Sequence, residues 1–155
     1  MSRWGNVDYR ALKEFQKKLE KLETMQREFC EAAAKELAAR LLRKVIQRTP
    51  VGQYPEGSGM VGGTLRRGWT GNTNRGASYA QSLPVRREGN NYVIDIINPV
   101  EYASYVEYGH RTRGHKGWVQ GRFMLTVSVD EIQSAAPKIL EKKFAKWLGD
   151  ALNGK

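Results

Sequence analysis

The sequence predicts an α+β fold. A long amino-terminal helix and a carboxy-terminal helix pack on a small antiparallel sheet, with a short helix and long glycine-rich loops between them. Three observations carry this reading. The first is a helical apolar period from residue 8 to 48; the second is a Gly-Asn-Asn turn between two strand-like runs; the third is a second helical period over the last 30 residues.

In the first segment Leu12, Phe15, Leu19, Leu22, Phe29, Ala33, Leu37, Leu41 and Val45 recur three or four apart. That is the stripe of a helix with one buried face. No Gly or Pro interrupts it before Pro50, and Asp8 is placed to cap it. Glu14/Lys18, Glu23/Arg27, Glu31/Lys35 and Glu36/Arg40 are acid-before-base pairs at i,i+4, and Arg43, Lys44 and Arg48 meet the negative end of the helix dipole. The stripe skips near Thr24–Gln26, where a break is expected; unbroken, the helix would run roughly 60 Å, so part of it would project or pack on a neighbour. Residues 49–63 read as an irregular loop, 65–71 as a strand with Leu65 and Trp69 inward, and 72–79 as a loop. Leu83–Glu88 and Tyr92–Asn98 flank the turn as a hairpin, with the second strand central and covered on both faces. Glu101–Tyr108 reads as a short helix ended by Gly109. A last helix covers about Met124–Leu152, with stripe residues Leu125, Ile132, Ala136, Ile139, Leu140, Phe144, Trp147 and Leu148. Ser128 and Glu131 are spaced as its capping box, and Pro137 stands in its middle.

The 155 residues fit a single domain over 1–155: a helical segment at 1–48, sheet and short helix at 64–108, and a helix at 122–152. One cysteine, Cys30, excludes an internal disulfide and points to a reducing compartment. Two histidines and one cysteine exclude a four-ligand zinc site of the finger type. No run approaches the length of a membrane span, and the amino terminus lacks the apolar core of a secretory signal. Against 16 acids stand 26 Lys and Arg, a net charge of +10, which suits a polyanion or an acidic protein neighbour.

Candidate chemistry is sparse. The Gly57–Gly63 loop lacks the Lys-Ser/Thr of a phosphate-binding loop. His110 and His115 would need a further ligand such as Glu107 to hold a metal. Cys30 reads as a small core residue rather than a nucleophile. Asp95, Glu101 and Glu107 have no motif fixing them as an acid–base pair. No catalytic, cofactor-binding or metal-binding residue is expected. The basic stretches are more informative: Arg66, Arg67, Arg75, Arg86 and Arg87 between 64 and 87, and Arg111, Arg113, Lys116 and Arg122 between 109 and 122, neither stretch containing an acid before Glu88. Trp69, Tyr79 and Trp118 are interleaved with them. Such a surface suits either non-specific nucleic-acid contact or docking onto an acidic protein.

Three segments together resemble a known family. They are Arg48-Thr-Pro-Val-Gly with Gly63-Thr-Leu-Arg-Arg-Gly-Trp69; Asn98-Pro-Val-Glu-Tyr-Ala-Ser-Tyr-Val-Glu-Tyr-Gly-His110-Arg-Thr; and Gly121-Arg-Phe-Met-Leu125. Over about Ala33–Leu140 the chain resembles the tail components of long-tailed bacteriophages, related to the lambda Z-like tail-completion and minor neck proteins. The insertion Gly52–Gly62 departs from the family, which usually has Asp-Thr-Gly soon after Thr-Pro-Val. The resemblance implies a non-enzymatic structural virion protein, made in the host cytoplasm and placed at the head–tail junction. It would assemble as a ring-forming homo-oligomer, take part in head–tail joining, and contact connector and tail-tube proteins. DNA in the channel would be held non-specifically, and no cofactor is implied. A tail-terminator ring and a non-specific DNA-binding protein are the alternatives. Arg66, Arg67, Arg111, Arg113, Lys116 and Arg122 become candidates for the assembly or channel surface, and Trp69, Tyr102, Tyr105, Val106, Glu107 and Met124 for core anchors. Glu107 is expected to pair with Arg66 or Arg122, and the loops 52–63 and 109–121 to order on assembly.

Overall fold

The computed structural model describes residues 9–73 and 75–153. The capping role expected of Asp8 lies outside them. The elements, in chain order, are α1 (Tyr9–Arg48), α2 (Thr64–Gly68), α3 (Gly76–Ser82), β1 (Arg86–Glu88), β2 (Asn91–Val93), α4 (Ala103–Tyr108), β3 (Gly109–Arg111), β4 (Trp118–Gln120) and α5 (Met124–Leu152). The fold is mixed α+β and mostly helical.

The first helix is unbroken across Thr24–Gln26, so its 40 residues span roughly 60 Å. Its second half packs along α5, and the pairing residues fix the direction. Lys44 meets Glu131, Glu36 meets Lys143, and the Phe29 ring lies 5.2 Å from Trp147. Contacts descend one helix as they climb the other, so the two are antiparallel. Ala33, Ala38, Leu42 and Val45 of α1 are buried, as are Met124, Ser128 and Ile132 of α5. Leu12, Phe15, Leu19 and Leu22, expected in the same buried stripe, lie where α5 has ended and are exposed. Phe144 and Leu148 are also open to solvent, at 48% and 41%. Of the expected i,i+4 pairs, Glu36–Arg40 forms at 2.9 Å, whereas Lys35 instead donates to the Gln81 carbonyl.

Two segments differ from their expected state. Residues 65–71 form α2 and the turn after it rather than a strand. Leu65 and Trp69 are four apart, which suits one helix face; in a strand Arg67 would share that face and enter the core. In the helix Arg67 instead reaches back to the Gly62 carbonyl at 3.1 Å. The expected loop at 72–79 contains the start of α3, which lays Tyr79 and Ala80 against α1.

The sheet is smaller than expected and divided. β1 and β2 pair antiparallel, Arg86 opposite Val93, around the Gly89-Asn90 turn. Residues 94–98 join no ladder, so most of the expected central strand is an irregular crossing. Ile94 and Ile96 lean on the core while Ile97 is 67% exposed. The basic stretch 109–121 is a second hairpin rather than an irregular loop, with Gly109 opposite Gln120 and Arg111 opposite Trp118. Gly109 is required there. Its φ is +89°, and a Cβ would stand 2.4 Å from the Val119 carbonyl oxygen.

Candidate functional site: a strapped motif core with exposed aromatic and basic faces

The three motif segments meet in space around two polar anchors. Thr49, fully buried, ends α1. Its hydroxyl donates to the Val45 carbonyl at 2.6 Å and accepts from the Trp69 indole at 2.8 Å. Its carbonyl accepts two bonds from the Arg66 guanidinium, at 2.7 and 3.1 Å. Arg66 therefore closes the last turn of α1, where helix carbonyls lack partners. Asn98 donates to the Leu65 carbonyl and accepts from Val100 N, which fixes the approach to α4. Gly68 makes this approach possible, because a Cβ there would lie 2.3 Å from Asn98 Oδ1.

Glu107 is the second anchor, only 5% exposed. It pairs with neither Arg66 nor Arg122. Its carboxylate accepts from Leu125 N at 2.9 Å, Thr126 N at 2.8 Å and the Thr126 hydroxyl at 2.7 Å. These are the orphan donors of the first turn of α5, and a carboxylate also suits the positive end of that helix. Phe123, the residue at the cap position, is left-handed and offers no side-chain cap, so a residue sixteen positions earlier supplies one. The main chain returns the bond: Arg122 N donates to the Val106 carbonyl and Phe123 N to that of Glu107. Ser128 is not the cap. It sits inside α5, donates to the Met124 carbonyl and accepts from Arg48.

The structure separates the remaining candidates. Trp69 and Met124 are buried at 3% and 1%, and Val106 is half-buried on the core. Tyr102 and Tyr105, expected inward, are exposed at 44% and 59%, because α4 is only six residues long and turns Val106 and Glu107 inward instead. With Tyr108 and Trp118 they leave an aromatic face on α4 and β4. Arg111, Arg113, Lys116 and Arg122 are exposed beside it, while Arg66 and Arg67 are half-buried and bound to backbone carbonyls. Asp95 pairs with Arg86 at 2.9 Å, and Cys30 is a half-buried free thiol. Among the described residues no three potential ligands gather for a metal.

A feature absent from the expected candidates lies along the α1–α5 groove. Lys138, Lys142 and Lys146 form an i,i+4,i+8 row beside Arg40 and Lys143, and Glu36 is the carboxylate among these lining residues. The Lys-x-x-x-Lys-x-x-x-Lys spacing was readable in the sequence. Only the packing, however, shows that it faces Arg40.

Two carboxylates in this helix pair are held below the ordinary value of 4.5. For Glu131 the main cause is the Lys44 ammonium, followed by Arg48; for Glu36 it is Lys143, then Arg40. A carboxylate depressed on folding adds stability above its unfolded pKa and loses it as pH falls through the folded value. Stability should therefore decline below about pH 4.5, and Glu131→Gln should flatten that decline while lowering stability at pH 7. Urea midpoints measured from pH 7 to pH 3 check this. A parallel offset at every pH would contradict it.

Buried polar atoms here are spent on joining elements, and the exposed face is aromatic and cationic; this is a scaffold that presents a surface. The chain belongs to the family described as "Bacteriophage HK97-gp10, putative tail-component", whose family model matches residues 13–109. The match runs from the first turns of α1 to the end of α4 and includes the first motif segment whole and the second as far as Gly109. No curated protein and no solved structure matches the chain. It is thus a structural component of a phage tail, a protein of the virion that meets other phage tail or neck proteins. No described helix is long and apolar enough to cross a membrane.

Proposed function

We propose that this chain is a tail-completion or neck component, made in the host cytoplasm as a single domain. It assembles as a ring and joins the tail end to the head connector. It works by contact, without turnover. The observation that carries the reading is the division of the motif Tyr102–Arg111. Glu107 and Gly109 lock the scaffold, whereas Tyr102, Tyr105 and Tyr108 face outward with Trp118 and the rim Arg111, Arg113, Lys116 and Arg122. Exposed Tyr, Trp and Arg are the side chains enriched where proteins dock. Tyr105→Asp should leave the fold intact, since this side chain is 59% exposed. It should reduce tail-bearing particles at least tenfold in a complementation assay read by electron microscopy. Normal particle yield from that variant would overturn the role of this face.

Contact with DNA is a second reading, favoured by the Lys138, Lys142, Lys146 row. Lysines one turn apart can follow a phosphate backbone without reading sequence. Non-specific binding of this kind lies at roughly 10⁻⁴–10⁻⁶ M at physiological salt and weakens steeply as salt rises.

A further inference from the structure

The leading half of α1 carries a row that its own chain leaves uncovered. Leu12, Phe15, Leu19 and Leu22 are 58%, 58%, 49% and 57% exposed. Their spacings of three, four and three place them at successive a and d positions of a heptad. In the same phase the next d residue is Phe29, which is covered by Phe144 and Trp147 of α5. The row is therefore the continuation of an internal helix seam past the point where its partner helix ends. Apolar surface in one contiguous strip of this kind marks a contact site on a soluble protein.

The flanking charges select the occupant. In this phase Lys18 occupies a g position and Glu23 the following e position. In a parallel pair of identical helices, g of one faces the next e of the other, so Lys18 meets Glu23 of the second copy twice over, once on each side of the seam. An antiparallel pair would set like positions together, with Lys18 opposite Lys18. We infer that residues 9–25 of α1 pair in parallel with the same segment of a second copy of this chain, with Leu12, Phe15, Leu19 and Leu22 forming the seam. This rests on the proposed homo-oligomeric assembly; the pair is two-fold and closed, so it is a unit from which a ring is built through other surfaces.

The test uses the full chain in a Cys30→Ser background. Leu22 is a d residue, so Leu22→Cys should oxidise to a covalent dimer at micromolar protein, whereas Lys17→Cys, on the outer face of the same helix, should not. Leu19→Asp should weaken self-association at least tenfold by sedimentation while the circular dichroism stays that of the parent, because Leu19 is outside the core. Lys18→Glu should weaken association, and adding Glu23→Lys should restore it, as only a parallel register allows. Absence of the Leu22→Cys dimer would overturn the pairing, as would a cross-link formed only when Leu148→Cys is added. If rings remain visible by electron microscopy in either case, the assembly reading survives. A chain that is monomeric at every concentration and forms no ring alone or with its tail partners overturns both.

Discussion

Trp69→Ala is expected to cost about 3–5 kcal/mol, the usual range for removing a large aromatic from a core. For a chain of this size that is a Tm lower by roughly 10 °C or more. The cost has two sources. The indole is 3% exposed and sits in the core cluster with Leu42, Leu65 and Met124, so its removal leaves a cavity. It also donates to the buried Thr49 hydroxyl. A Trp69→Phe variant separates the two: it keeps most of the volume and loses the bond, and should cost about 1–2 kcal/mol. Calorimetry of both variants checks the order, and a Phe variant as unstable as Ala would place the weight on the hydrogen bond instead of the packing.

Glu107→Ala should cost about 2–3 kcal/mol, because it strips the acceptor from two first-turn N–H groups of α5 that have little other access to one. The control is Arg122→Ala. A salt-bridge role for Glu107 would make the two variants alike, whereas the capping geometry leaves Arg122 with an effect within about 0.5 kcal/mol. Glu107→Gln retains an acceptor oxygen and should fall between them. Denaturant midpoints for the three substitutions give the ranking.

Long-range periodicity was the most legible part of the sequence. The helices α1 and α5 each repeat an apolar pattern over several turns, and the Gly-Asn turn marks the first hairpin, so these elements were readable from spacing alone. Short elements were not. At 64–69 Leu65 and Trp69 fit either an alternating strand or one helical turn, and only the destination of Arg67 decides between them. The second hairpin was masked because Arg111, His110 and Trp118 show no inward–outward alternation; β4 is exposed along its whole length, and in β3 only Gly109, which has no side chain to signal it, is buried. At the candidate site, the importance of Glu107 was legible but not its partner. An acid beside an excess of Arg suggests an ion pair, while the observed bond goes to backbone N–H groups that carry no sequence signature. Tyr102 and Tyr105 were placed inside for a similar reason. Aromatic residues one turn apart mark a helix face without saying whether that face meets the core or another molecule.

The antiparallel clasp of α1 and α5 joins the first described element to the last described one, with Lys44 and Arg48 held by Glu131 more than eighty positions later. During synthesis the second half of α1 must wait for more than eighty further residues to leave the ribosome before its mate arrives. Until then Leu42 and Val45 have only α2, α3 and the core residues between Ile94 and Val106 to lean on. Closure of the fold is thus a late event set by high sequence separation. Nascent chains truncated before Trp147 should remain sensitive to protease along the amino-terminal third.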